Sequence, residues 1–325
     1  MGEFDLIDRY FRRPAAAAAG GVALGIGDDC ALLAPTPGMQ LAVSSDLLLE
    51  GRHFLSTVDP ARLGHKALAV NLSDLAACGA RPLAFTLALA LPAADEDWLA
   101  PFARGLLALA DAHGCALVGG DTTRGPLAIC ITVFGEVPPG QALLRSGARA
   151  GDDLWVSGTV GDARLALEVF RGTLRLPAEA FEAARLRLEQ PQPRVALGQA
   201  LRGIASAAID ISDGLLGDLG HVLRQSGVGA RIEADRALGL LALRRLAADA
   251  VPAPIQLDCV LAGGDDYELA FTAPPARRDA VLAAGAAAQV ALTRIGCIEA
   301  QPGVRVVDAS GAALARAFAS FDHFG

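Results

Sequence analysis

The residues with most chemistry to offer are aspartates held in short turns. Six such segments recur: Gly27-Asp28-Asp29, Ser45-Asp46, Ser73-Asp74, Gly120-Asp121, Asp210-Ile211-Ser212-Asp213 and Gly264-Asp265-Asp266. Most follow directly on an apolar run, which places them at strand ends. Carboxylates there are hard oxygen ligands with little reason to be present for packing, and gathered in one place they repel each other unless cations sit among them. One such turn alone reads as an ordinary Gly/Asp connection. Six of them, several approached by hydroxyls or glycines, point instead to divalent metal. Magnesium takes one or two carboxylates and completes its shell with waters and substrate phosphates. Ser44 and Ser45, beside Asp46, could add oxygens; Gly119 and Gly120 would let the backbone approach a phosphate closely; and Arg145, in a Gly/Ser-rich loop, is a candidate clamp for an anionic oxygen. That set suits phosphoryl transfer, where positioning and charge stabilisation do most of the catalysis.

Composition narrows the field. The formal net charge of -8 argues against a non-specific nucleic-acid binder, which needs a basic footprint. The same charge would repel a phosphate ester, and divalent cations would offset it. Lys66 is the sole lysine, so the Gly-Lys-Ser/Thr string of a Walker A loop is missing, as is the strand lysine and D-F-G set of protein kinases. The six cysteines are scattered, with no C-x-x-C pair or Cys/His cluster, so zinc is not expected and reduced thiols are. No apolar run approaches the roughly 18–20 residues of a membrane span; Leu83 to Leu91 comes nearest and is closed by Pro92, as a buried strand would be. Glu3, Asp5 and Asp8 replace the basic start of a signal peptide. Phe4, Ile7 and Phe11 instead suggest a short amphipathic helix, followed by a low-complexity link from Ala15 to Gly21. A cytoplasmic protein is the expectation.

These residues need elements to position them. Strands are expected at Val22 to Ile26 and at Leu41 to Ser44, the latter ending at Asp46. Asp59-Pro60 starts a helix that runs to about Cys78 and stops at Gly79, with Asn71, Asp74 and Cys78 on one face. Leu83 to Leu91 is a strand, Asp95 to His113 a helix, Ala116 to Val118 a strand feeding Gly119 to Thr123, and Ala128 to Val137 another strand. Pro138-Pro139-Gly140 and the loop after it suggest a domain boundary, giving domains over 1–140 and 150–325. The second half offers a strand Leu154 to Ser157, helix Ala163 to Phe170, helix Val195 to Leu201, strand Ala207 to Ile211, helix Leu215 to Gln225, strand Tyr267 to Thr272, helix Arg277 to Ala284 and strand Gly303 to Val307. Alternating strands and helices in both halves predict an α/β class, built as α+β layers. A weak echo between the halves leaves an internal repeat open.

The strings GIGDDCALL, SSD, HKALAVNLSDLAACGA, VGGDTTRGPL, LLRSGARAGD, AIDISDGL, GGDDYEL and FDHF cover nearly the whole chain in order. Together they resemble the thiamine-monophosphate kinase family, within the PurM-like superfamily of aminoimidazole ribonucleotide synthetase, selenophosphate synthetase and HypE. The resemblance implies a PurM-like two-domain fold, with an N-terminal β-sheet domain that dimerises and a C-terminal α/β domain. It implies transfer of the ATP γ-phosphoryl group to thiamine monophosphate, with several magnesium ions and with potassium left open. Asp29, Ser44, Ser45, Asp46, Asp74, Asp121, Asp210 and Asp213 would hold metal, with Asp28 beside Asp29 in the first acidic turn. Gly120, Asp121, Arg145 and Ser212 would meet ATP, and His53, Asp265 and Phe321 would contact thiamine monophosphate. No acid–base residue is implied. Many family members carry Glu at the position of Asp265 and Tyr or Trp at that of Phe321; both departures bear on substrate affinity. Taken singly, His53 also reads as a surface histidine, Phe321 as an anchor of the tail and Arg145 as a solvated loop residue. The rival readings are another superfamily ATP-dependent synthetase and a nucleotide- or metal-binding module without turnover. The first cysteine, Cys30, follows the acidic turn, unlike the reactive residue of selenophosphate synthetases. The chain ends His323-Phe324-Gly325 without the terminal cysteine of HypE.

Overall fold

The computed structural model describes residues 3–12, 21–316 and 318. It divides into two compact units, one formed by 1–75 and 80–142 and the other by 76–79 and 143–325.

The first unit opens with the short helix α1 (Glu3–Leu6), continued by a π-turn over Ile7–Phe11. Strands β1 (Val22–Leu24) and β2 (Leu32–Leu33) form a small antiparallel pair around the first acidic turn. A four-stranded sheet follows, of β3 (Gln40–Leu49), β4 (Arg81–Leu91), β5 (Ala116–Arg124) and β6 (Ala128–Val137), in the order β3-β6-β4-β5. Helices α2 (Pro60–Ala77) and α3 (Glu96–Ala112) connect β3 to β4 and β4 to β5. Asp59 receives the backbone N–H groups of Ala61 and Arg62 on its carboxylate, and Asp95 receives that of Asp97, so both helices start where the sequence places them. The two helices touch almost backbone to backbone: a Cβ on Gly64 would sit 2.1 Å from the Phe102 carbonyl, and one on Gly105 would sit 1.9 Å from that of Ala61.

Two acidic segments expected in turns lie inside strands. Ser44 to Asp46 is mid-strand in β3, which pairs with β6 along its whole length from Gln40↔Val137 to Leu49↔Ala128. Gly120 and Asp121 lie within β5, whose parallel pairing with β4 continues to Leu91↔Arg124 past a bulge near Val118. Ser and Gly read locally as strand breakers, but a long ladder outweighs that weak preference. Ser73 and Asp74 belong to the last turns of α2.

The second unit holds a six-stranded sheet of β7 (Asp153–Ser157), β8 (Ala207–Asp210), β9 (Gly229–Glu233), β10 (Leu269–Ala273), β11 (Leu292–Glu299) and β12 (Gly303–Val307), ordered β12-β9-β11-β7-β10-β8. All neighbours are antiparallel except β9 and β12. Its helices are α4 (Asp162–Phe170), α5 (Ala178–Glu189), α6 (Val195–Ala200), α7 (Leu215–Ser226), α8 (Ala234–Leu238), α9 (Ala253–Ala262) and α10 (Arg278–Ala287). Leu154, Val156, Ile209, Ile232 and Ile295 from the strands and Leu165, Leu219 and Val222 from the helices form its core. No helix among the described residues is long and apolar enough to cross a membrane.

Candidate active site

In the first unit, strand alternation turns Ser44 and Asp46 to the face that α2 covers. The Ser44 hydroxyl donates to Asp74 Oδ2. The backbone N–H of Asp46 donates to Asn71 Oδ1 at 3.1 Å, and Asn71 Nδ2 in turn donates to the Ala67 carbonyl at 3.0 Å, which fixes the amide's orientation. Burial, and then the charge of Asp74 beside it, push the Asp46 carboxyl up to about 6. Two carboxylates approaching one another, with a hydroxyl and an amide around them, are a donor set of oxygens that a hard divalent cation fits. Ser45 points to the opposite face, where its hydroxyl meets the Ile131 carbonyl at 3.1 Å and Thr132 Oγ1 at 3.0 Å. Its side chain is thereby separated from Ser44 and Asp46.

Asp28 and Asp29 lie in an exposed turn closed by the Asp29 N–H donating to Asp28 Oδ1 at 2.9 Å. Asp121 is exposed on β5 opposite Ala88. At Gly120 (φ 149°) the space a side chain would need is filled by β4, with the Leu87 carbonyl 1.8 Å from an added Cβ. This glycine is therefore required by the sheet itself, a different reason from open access to a phosphate. His53 is half-buried after β3, its Nδ1 accepting the Leu49 N–H at 3.0 Å, and the Lys66 ammonium donates to its carbonyl at 3.2 Å.

In the second unit two acidic loops run side by side. Asp210 ends β8 and is buried. The N–H of Asp265 donates to the Ser212 carbonyl, that of Tyr267 to the Ile211 carbonyl and that of Ile211 to the Glu268 carbonyl, each at 2.8 Å. Asp265 and Tyr267 both adopt left-handed backbone, at φ 62° and 53°; such conformations cost free energy in non-glycine residues and need their surroundings to hold them. Those surroundings are visible. Glu268 is fully buried and receives Arg187, Arg194 and the Ser157 hydroxyl. Asp266 is buried with Oδ1 accepting the Gly161 N–H at 2.9 Å while Oδ2 has no hydrogen-bond partner, and burial holds its carboxyl well above the usual range. Asp265 itself is half-buried and accepts from the Tyr267 hydroxyl at 3.3 Å. Arg145 lies exposed in the loop before β7. A cavity of about 420 Å³ is lined by Arg164, Glu168, Asp258, Cys259 and Phe318, and by Ala262, the last residue of the helix leading into Gly263-Gly264-Asp265. Phe321 lies outside the described residues. Among the described residues no group of three or more His, Cys, Asp or Glu side chains is gathered closely enough to cage a metal without other donors. The sequence-predicted metal ligands therefore fall into Ser44 bonded to Asp74 with Asp46 beside them in one unit, and Asp210 and Asp213 in the other, on the loop stitched to that of the expected substrate contact Asp265, with Asp29 and Asp121 on separate segments.

Residues 27–137 match the family model of the AIR synthase related protein N-terminal domain, and residues 139–309 match that of the C-terminal domain. The chain is 46% identical over 99% of its length to a thiamine-monophosphate kinase of Salmonella typhimurium, covering 98% of that protein, and 45% identical with the same coverage to that of Escherichia coli K12. The chain belongs to the thiamine-monophosphate kinase family. A crystal structure of the Stenotrophomonas maltophilia thiamine-monophosphate kinase superposes with a TM-score of 0.86 at 48% identity, over 97% of this chain and 98% of that one. The structure of AaThiL complexed with AMPPCP and TMP superposes with a TM-score of 0.76 at 30% identity, over 89% of each chain. HypE structures at 21–22% identity share the fold.

Within this member of the thiamine-monophosphate kinase family, Asn71, Lys66 and Glu268 bond the backbone of Asp46, His53 and Ile211 at or beside the candidate site residues and were not assigned roles by sequence. Asn71 carried a signal, since it shares a helical face with Asp74. Lys66 and Glu268 did not, because their partners are distant in sequence.

Proposed function

We propose that this protein transfers the γ-phosphoryl group of ATP directly to the phosphate of thiamine monophosphate, giving thiamine diphosphate and ADP. The observation that carries this reading is the Asp46–Asp74 pair, with Ser44 on the same face of β3 donating to Asp74, in a chain 46% identical to a thiamine-monophosphate kinase along its length. Ser44, Asp46 and Asp74 are the residues of the first unit that would hold magnesium, joined by Asp29, Asp121 and the Ser45 backbone. Asp210 and Asp213 would serve in the second unit. Magnesium, when bound, neutralises phosphate charge and aligns donor with acceptor.

The protein's own residues do the rest. The acceptor phosphate is already ionised near neutral pH, so the chain needs no general base. His53 accepts a backbone hydrogen bond on Nδ1, which puts the ring proton on Nε2 as a donor toward an anionic oxygen. Arg145 would hold ATP phosphate oxygens, Ser212 and the backbone at Gly120 the nucleotide, and Asp265 the cationic thiamine portion. Phe321 would stack on its rings. The reach of Asp265 is one methylene shorter than that of Glu, and its carboxylate accepts the Tyr267 hydroxyl at 3.3 Å. Leu41, Val43, Leu47 and Leu49, exposed along the outer side of β3, support a homodimer through the first unit, and the acidic composition with free cysteines fits the cytoplasm. Potassium remains an ion to titrate.

The test is incubation with ATP, magnesium and thiamine monophosphate, followed by chromatography. Thiamine diphosphate and ADP should appear one to one, and EDTA should stop both. Bound but unspent ATP would move the protein to a sensor role, and product made from plain thiamine would change the acceptor.

A further inference from the structure

Helix α7 does something at each end that neither the motifs nor the family match assigns. Near its start, Asp218 turns back on the loop before it. A single oxygen, Oδ2, accepts the backbone N–H groups of Ser212, Asp213 and Gly214 at 3.0, 3.1 and 3.1 Å. Three consecutive N–H groups converging on one point form a nest that attracts anions. Here the chain's own buried carboxylate fills it. A phosphate is thereby kept out of the nest, and the loop is left to present its side chains, Ser212 and Asp213. At the other end, the Ser226 hydroxyl accepts the N–H groups of Gly147 and Ala148 at 3.1 and 3.2 Å and donates to the Arg145 carbonyl at 3.3 Å. Glycine is required in that loop, because Gly147 sits at φ 118° with the Ser206 carbonyl 2.4 Å from where a Cβ would be. Both loops are thus gathered over one helix.

We propose that α7 is a positioning bracket, in which Asp218 and Ser226 fix the Ser212–Asp213 and Arg145 loops relative to each other and so set the grip on ATP without touching it. This rests on the reading of Arg145, Ser212 and Asp213 as nucleotide- and metal-facing residues. A rigid helix carrying both anchors makes the spacing of the two loops a property of one element. Positioning by fixed elements of this kind governs how well a reactive phosphate is held.

The test is steady-state kinetics of the full chain, varying ATP with magnesium and thiamine monophosphate separately. Ser226→Ala removes three hydrogen bonds and should raise KM for ATP about five- to tenfold, while KM for thiamine monophosphate moves less than about twofold. Ser226→Thr, which keeps the hydroxyl, should restore the wild-type value. The cost of Ser226→Ala should vanish in an Arg145→Ala background, since the hydroxyl acts through that loop. Asp218→Ala should likewise raise KM for ATP, and Asp218→Asn, whose amide oxygen still accepts, should restore most of it. Should Asp218→Ala fail to fold, Ser226→Ala decides alone. A Ser226→Ala enzyme that loses thermal stability with KM for ATP unchanged overturns the bracket. So does an equal rise in both KM values, or a cost that persists without Arg145. Arg145→Ala with an unchanged KM for ATP would instead remove Arg145 from the nucleotide site, and the proposal with it.

Discussion

Asp46 concentrates the problem that the site has to solve at the scale of one residue. It is half-buried beside Asp74, and its carboxyl is held up near 6 by that burial and that neighbour. Free of metal, the pair is a liability to the fold; with a divalent cation it would be a ligand set. Asp46→Asn keeps the shape and the backbone bond to Asn71 while removing the charge. Turnover should fall by more than about 100-fold, the scale at which even indirect metal contacts matter. Thermal stability of the metal-free protein should hold or rise, because a repulsion has gone. Chromatographic assay and thermal unfolding in EDTA check the two halves, and wild-type turnover would take Asp46 out of the site. The aspartates stand out in the sequence as candidates because carboxylates after apolar runs have few structural uses. Their supports do not. Lys66 on the His53 carbonyl, and Arg187 and Arg194 on Glu268, join residues 13, 81 and 74 positions apart, and nothing in local spacing reveals such partners.

Elements came through unevenly, and the reason is pattern. Helices α2 and α3 announce themselves through Asp59-Pro60 and Asp95, which act as caps in the structure. Helix α5, and strands β9 and β11, left no usable signal: α5 is rich in Arg and Glu on short apolar spacing, and the two strands carry Arg and Glu among their apolar residues. The Ser-Ser-Asp run of β3 looked like a strand end because hydroxyls suit turns, but the ten-residue ladder with β6 carries the strand through it. What no pattern could show is the contact between α2 and α3. Gly64 and Gly105 are each mid-helix, where glycine costs about 1 kcal/mol relative to alanine, so both should be conserved by packing rather than propensity in this fold. Gly105→Ala tests that. Propensity alone favours the substitution, yet its methyl would lie 1.9 Å from the Ala61 carbonyl and must push the helices apart. Overpacking should win by about 1–3 kcal/mol of destabilisation, read as a lower urea midpoint. Since α2 carries Asn71 and Asp74, activity should fall with it. A midpoint equal to or above that of the wild type would mean that the two helices can separate freely.

For the molecule as a whole, the outer face of β3 sets the next expectation. Leu41, Val43, Leu47 and Leu49 alternate along one side of the strand at 50, 59, 52 and 40% exposure. Cys130, Thr132 and Phe134 of β6 continue that face and are half-covered. Strand β3 is also an edge, with ten residues, no proline and no lysine, and its one charge, Asp46, turned inward toward α2. Edge strands of soluble proteins are ordinarily guarded by charge, proline or bulges, because an unguarded edge invites another strand. Contiguous apolar rows of this kind mark interaction surfaces, and a second copy of the same sheet offers the same row by two-fold symmetry. Burying these four side chains would supply on the order of 1.5–3 kcal/mol each at most, enough to offset much of the entropic cost of association. Leu47→Asp places a charge in the middle of the row without touching the Ser44 and Asp46 face. Light scattering at micromolar concentration should show a dimer for the wild-type chain and a monomer for Leu47→Asp. The far-ultraviolet circular dichroism of the two should agree, so that dissociation is not mistaken for unfolding. A variant that stays dimeric, or a wild-type chain that is monomeric at those concentrations, would place the interface elsewhere and leave the apolar row of β3 as exposed surface that the fold tolerates.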